Sequence, residues 1–137
     1  MDKIRIYLDD VRTPKQDTWV IARNYDEFVK IVNENGLSSI DFISLDHDLG
    51  ESAMKEYFTN VSPNYKLDYN NISEKTGYDC AKFLVDKSIQ DNVPLPLIYV
   101  HSANPIGSAN IMGYVNNYLK NCRLPQTCVR IRIDHTI

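Results

Sequence analysis

Three apolar stretches of this chain each stop abruptly at ionisable or polar residues. Lys3 to Leu8 runs into Asp9-Asp10, Ile40 to Leu45 into Asp46-His47-Asp48, and Leu95 to Val100 into His101-Ser102, with Asn104 close behind. Runs of this length, rich in Ile, Leu, Val and Tyr, are expected to be buried strands. Trp19 to Ala22 and Val129 to Ile133 read as two more. Helical spacing fills the gaps: Asn24 or Asp26 can cap a helix carrying Phe28, Ile31 and Val32 until Gly36. Asp79 to Ile89 puts Cys80, Phe83, Leu84 and the Lys87 stem around one face. Ser108 to Leu119 does the same with Ile111, Met112, Val115 and Leu119. Strands alternating with helices predict a three-layer α/β domain with a five-stranded, mostly parallel sheet joined by right-handed crossovers. The Val11 to Asp17 connection is too short for a crossover, so the first helix is expected to be short or missing. Glu51 to Thr76, with Pro63, several Asn and the scattered Tyr57, Tyr65 and Tyr69, reads as a long loop or lid.

Composition narrows the function classes. At 137 residues, 43% of them hydrophobic, the chain is the size of one ordinary domain spanning 1–137. No apolar run approaches the roughly 20 residues that cross a bilayer, which argues against a membrane protein. The N-terminal residues show no signal-peptide pattern, so a cytoplasmic location is expected. Cys80, Cys122 and Cys128 are odd in number and lack zinc-knuckle or redox spacing, as expected of reduced thiols. With 15 basic against 18 acidic residues, the chain is a poor candidate for a dedicated duplex-DNA binder. A small or single-stranded phosphate ligand stays open. Neither the Gly-x-Ser-x-Gly pattern of serine hydrolases nor the Gly-Lys-Ser/Thr of P-loops is present.

Open α/β sheets bind ligands outside the carboxyl ends of their strands, where the polar residues here are placed. Asp9, Asp10, Asp46 and Asp48 are candidate ligands for Mg²⁺ or another divalent cation, since hard cations take oxygen donors and repelling carboxylates are costly without one. His47 and His101 can serve as general acid and base near neutral pH. Arg12 can clamp a phosphate or neutralise the neighbouring acids. Ser102 and Asn104 are candidate phosphate contacts, and the Asn104 to Ser108 turn can offer backbone N–H groups to an oxyanion. Tyr65 and Tyr69 can stack on a base or pin the loop. Arg130 and Arg132 alternate with apolar residues as on an edge strand, and His135 reads as solvated.

The strings Leu8-Asp9-Asp10-Val11-Arg12-Thr13-Pro14, Ser44-Leu45-Asp46-His47-Asp48-Leu49-Gly50 and His101-Ser102-Ala103-Asn104-Pro105-Ile106-Gly107, with Thr76 to Leu84, resemble the cyclic-phosphate-processing receiver family. The resemblance implies a receiver-type, flavodoxin-like sheet. In it, Asp9 and Asp10 match the metal-binding acids and Asp46 the phosphoacceptor aspartate. A signalling receiver also carries a Lys after its fifth strand, and nothing of that kind follows Ile133. His47 and His101 depart from signalling receivers too, and the resemblance associates them with action on cyclic phosphates such as the 2′,3′-cyclic ends of RNA or cyclic nucleotides. The expected function is therefore a phosphoesterase. His47, His101 and Asp46 would be catalytic, Arg12, Ser102 and Asn104 would hold the phosphate, and Asp9, Asp10 and Asp48 are metal candidates. The alternatives are a receiver or pseudo-receiver phosphorylated on Asp46, and a cyclic-nucleotide binder that does not cut.

Overall fold

The computed structural model describes residues 2–131. Its strands are β1 (Ile4–Leu8), β2 (Trp19–Ala22), β3 (Ile40–Leu45), β4 (Leu97–Val100) and β5 (Val129–Arg130), in the order β2-β1-β3-β4-β5. Every pairing is parallel, so the expected mostly parallel sheet is wholly so among the described residues. This is the receiver-like, flavodoxin-like α/β fold. The last strand was expected to reach Ile133; its part beyond Ile131, with Arg132 and His135, lies outside the described residues.

Helix boundaries follow from their caps. In α1 (Tyr25–Asn35) the Asn24 side chain accepts the Glu27 N–H at 2.9 Å, and Gly36, at φ +80°, closes the other end. A continuous helical segment follows β3: α2 (Glu51–Glu56), a π-helical turn at Tyr57–Val61, and the short α3 (Ser62–Asn64). Helix α4 (Gly77–Asp91) begins two residues earlier than periodicity alone indicates, because Thr76 and Asp79 form a capping box. Helix α5 (Pro105–Asn121) likewise starts early, with Asn104 as cap and Pro105 at the first position.

The missing first crossover has a large consequence for the layers. Leaving β2, the chain moves across the sheet in one direction through β3, β4 and β5, so right-handed crossovers set α1, α4 and α5 on one face. Phe28, Val32, Leu84, Ile111 and Val115 pack there against Ile6, Leu8, Ile43, Leu45, Ile98 and Val100 in one core. The other face has no such helix. Tyr7, Trp19, Phe42 and Tyr99 run edge-to-face across it, with the Arg5 guanidinium over the Trp19 ring. The expected third layer is thus reduced, among the described residues, to an aromatic ladder. In place of a crossover, Arg23 ties the β1–β2 connection by donating to the Asp9 and Arg12 carbonyls and to Thr13 Oγ1.

Glu51 to Thr76, expected as a loop, is more ordered than its composition indicates. The buried Glu56 carboxylate accepts from Asn60, Asn71 and the Asp68 N–H, each at 2.9 Å. Glu74 accepts from Ser52 and the Ala53 N–H. These two carboxylates fold the insertion onto α2 and carry Tyr69 to the carboxyl end of the sheet. No helix among the described residues is long and apolar enough to cross a membrane.

Candidate active site

Parallel strands deliver their C-terminal residues to one edge, and β1, β3 and β4 bring Asp9, Asp46, His47 and His101 there together. All four are buried. Two clusters result, one around each imidazole.

In the first cluster Asp9 is the hub. Its Oδ1 accepts the Val11 and Arg12 N–H groups at 3.0 and 2.8 Å, and its Oδ2 accepts Arg12 Nε at 2.7 Å and His101 Nε2 at 3.1 Å. Burial alone would raise the Asp9 pKa, but the hydrogen bonds from His101, Arg12 and the two amides outweigh it and hold the carboxyl well below the usual range. The second ring nitrogen of His101 meets Ser44 Oγ at 2.7 Å, and the ring stacks on Tyr7 with centroids 4.3 Å apart. Because a carboxylate only accepts, the network assigns the proton to Nε2 and makes Ser44 the donor to Nδ1. Burial lowers the His101 pKa, with Asp9 partly offsetting it, so the neutral ring is favoured.

The second cluster is built on His47. Its Nδ1 meets Asp48 Oδ1 at 2.6 Å, and Asn104 Nδ2 donates to that same oxygen at 3.2 Å. Nδ1 therefore carries the proton, leaving a lone pair on Nε2 that accepts from the Tyr69 hydroxyl at 2.9 Å. Asn110 in turn donates to the Tyr69 oxygen at 3.0 Å. Burial raises the Tyr69 pKa to about 12, so the phenol stays a donor. An imidazole whose base nitrogen is held ready by a carboxylate on the other side is the arrangement of a general base.

Asp46 and Arg12 join the clusters. Asp46 accepts the His47 N–H at 2.8 Å, and its other oxygen lies 3.2 Å from Arg12 Nη2. Burial and then the Asp9 charge push Asp46 up to about 7, against the pull of Arg12. A cleft of about 90 Å³ opens beside them, lined by Asp10, Arg12, Asp46, Asp48, Met54 and Tyr57 among others.

Several expected roles change once the side chains are placed. The two imidazoles do not flank one open space: both nitrogens of each ring are engaged by protein groups, and the rings share no side-chain partner. Ser102, expected on a phosphate, is buried and accepts the Asn104 N–H, while its carbonyl takes the Arg130 guanidinium. Asn104 is spent on capping α5 through the Gly107 N–H and on Asp48, which also closes the proposed backbone cradle. Tyr65 is exposed, at φ +54°, on the far end of the insertion. Tyr69 is a site residue through its hydroxyl, a role that an irregular run rich in Asn gave no periodic signal for. Ser44 was legible only as the single hydroxyl in an apolar strand.

For a divalent cation, the described atoms that converge are those of Asp9, Asp46 and His101, within 4.8 Å of one another. Asp10 and Asp48, expected with Asp9, stand outside this group; Asp48 is committed to His47. The guanidinium of Arg12 already spans the Asp9 and Asp46 carboxylates and supplies the positive charge. Mg²⁺, which takes oxygen ligands and keeps several waters, does not fit this set while Arg12 is seated.

Two glycines explain how closely these parts pack. A Cβ on Gly77 would sit 1.8 Å from the Asp46 carbonyl oxygen, and one on Gly107 would sit 2.3 Å from the His47 ring. The start of α4 and the first turn of α5 press directly on Asp46 and His47.

No curated protein and no solved structure matches the chain. The model of the cyclic-phosphate processing receiver domain matches residues 4–117, which takes in both clusters and every strand but the last. By that match, over a sheet of receiver topology with this His and Asp edge, the chain belongs to the cyclic-phosphate processing receiver domain family.

Proposed function

We propose that the chain is a phosphoesterase that opens a cyclic phosphodiester, the 2′,3′-cyclic phosphate of a nucleotide or an RNA end. The observation that carries this reading is the His47–Asp48 pair, with Nε2 free of its own proton and facing a hydroxyl. The Tyr69 hydroxyl occupies the position that an attacking water takes when Tyr69 withdraws. His47 then removes a proton from water, the water oxygen bonds to phosphorus, and one ribose oxygen leaves. Asp46, held near neutrality in pKa, returns a proton to that oxygen, and Arg12 balances charge on the phosphoryl oxygens. His101 acts as a positioning residue: buried on Tyr7, it fixes Asp9, and Asp9 fixes Arg12.

The test is turnover of 2′,3′-cyclic mononucleotides and of a cyclic-phosphate-ended oligoribonucleotide, with and without EDTA. His47→Ala is expected to lower kcat by about 10²-fold or more, and EDTA is expected to leave the rate unchanged. His47→Ala turning over as fast as the parent would contradict the reading. A strict requirement for a divalent cation would show that Arg12 yields its place. The receiver alternative requires a covalent adduct on Asp46 after treatment with a small phosphodonor, visible by mass spectrometry. The raised pKa, which lowers the ionised fraction of Asp46 near neutral pH, and the Arg12 contact on its other oxygen count against it.

A further inference from the structure

Asp9 and Asp46 are held in the same way. Each has one carboxylate oxygen fixed by backbone N–H groups, Oδ1 of Asp9 by Val11 and Arg12 and Oδ1 of Asp46 by His47. The other oxygen of each meets a guanidinium, with Asp9 Oδ2 2.7 Å from Arg12 Nε and Asp46 Oδ2 3.2 Å from Arg12 Nη2. His101 Nε2 stands 3.1 Å from that same Asp9 oxygen. One ligand atom from each of Asp9, Asp46 and His101 thus lies within 4.8 Å of the others, and the positive charge seated on the two carboxylates is the side chain of Arg12. The backbone amides that orient the carboxylates do not depend on that side chain.

We propose that Arg12 is the resident cation of a preorganised metal site: its guanidinium takes the place of a zinc-like divalent ion among Asp9, Asp46 and His101, and removing it opens the site to that ion. The donor set decides the class. One imidazole nitrogen with two carboxylate oxygens suits Zn²⁺ and its neighbours in the transition series better than Mg²⁺, which takes oxygen ligands and water. The second ring nitrogen is provided for. Ser44 Oγ, 2.7 Å from His101 Nδ1, can accept a hydrogen bond as well as donate one, so the neutral ring can carry its proton on Nδ1 when Nε2 takes a metal. An entry path follows from the same exchange. Asp9 and His101 are buried, but the Arg12 side chain is 36% exposed, so its removal leaves an opening to solvent where it lay. No step of the proposed phosphoesterase reaction runs through the ion, and the inference is independent of that reading.

The experiment reads metal binding directly. Co²⁺ is titrated into the parent, Arg12→Ala and Arg12→Gln proteins, followed by its visible absorption and by the thermal midpoint. Arg12→Ala is expected to bind Co²⁺ about tenfold more tightly than the parent, or better, because the repelling charge among the ligands is gone. Its midpoint is expected to rise with Co²⁺ while that of the parent stays unchanged. Zn²⁺ is expected to displace the bound Co²⁺, and Mg²⁺ at the same concentration to leave it in place. Arg12→Gln, which keeps a polar side chain and loses the charge, is expected to behave alike, so the result does not hang on one variant's fold. Equal Co²⁺ affinity of the parent and both variants overturns the proposal, because Arg12 would then not occupy the ion's place. So does a variant folded by circular dichroism that binds no Co²⁺, or displacement by Mg²⁺ as readily as by Zn²⁺. Turnover of cyclic mononucleotides by the parent alongside variants that bind no Co²⁺ would leave the phosphoesterase standing and this inference refuted; Co²⁺ gained by the variants without turnover by the parent would do the reverse.

Discussion

Gly77→Ala is expected to give a protein that is destabilised by about 3 kcal/mol or more, or fails to fold. The added methyl would meet the Asp46 carbonyl oxygen at 1.8 Å and the His47 Cα at 3.1 Å. Those are backbone atoms, held by a strand that is hydrogen-bonded on both sides, and the Gly77 N–H itself donates to the His47 carbonyl at 2.9 Å. Nothing flexible is available to yield. Gly107→Ala is the informative companion, because the atoms in its way belong to the His47 ring. A side chain can rotate where a carbonyl cannot, so this variant is expected to keep more of its stability while losing the Asp48–His47–Tyr69 alignment. Chemical denaturation of both proteins, with the His47 ring resonances followed by NMR, checks the pair. Equal stability of Gly77→Ala and the parent would show that α4 does not abut β3 as described.

Asp9→Ala is expected to cost on the order of 3–5 kcal/mol, as removing one partner from a buried charge network does. It strands Arg12, His101 and two backbone N–H groups at once. The same network sets the pH dependence. Asp9 titrates lower in the folded than in the unfolded chain, so its contribution is present above the ordinary carboxylate value and fades as pH falls through the folded value. Asp46 has the opposite sign. Its folded pKa of about 7 lies above the ordinary 3.8, so its contribution is full below about 3.8 and is lost as pH rises through about 7. His101, titrating low, loses stability as pH falls below its ordinary 6.5. Comparing the parent with Asp46→Asn between pH 5 and 8 by denaturant midpoint isolates the Asp46 share. The variant is expected to gain stability relative to the parent as pH rises, by on the order of 2 kcal/mol. A constant difference across that range would show that Asp46 is ionised throughout.

How much of this was legible beforehand depends on how local the signal is. Strand ends are local: an apolar run that stops at Asp9-Asp10 or Asp46-His47-Asp48 marks both the strand and the edge on which ligands are handled. Caps are nearly as local: Asn24 caps the first helix as one of the two residues expected to, and Thr76 and Asn104 explain the two early helix starts. What composition concealed was pairing at a distance. Glu56 and Glu74 make a structured insertion out of a segment that looks like a loop, through partners up to 22 residues away. The same is true of roles at the site. Ser102 and Asn104 lie where phosphate contacts belong, but the buried amides and Asp48 claim them first, and that competition is visible only in three dimensions. Which face of the sheet lacks helices followed from strand order, which the chain's one-dimensional pattern does not carry.

In the proposed reaction, water opens a cyclic phosphate through His47. The most direct measurement is hydrolysis of a 2′,3′-cyclic-phosphate-ended oligoribonucleotide in H₂¹⁸O by the parent and His47→Gln proteins, followed by mass spectrometry of the product. The expected result is a linear phosphomonoester carrying one labelled oxygen with the parent, and intact cyclic substrate with His47→Gln over the same interval. Unlabelled substrate recovered whole from the parent, or equal labelling by both proteins, would contradict it.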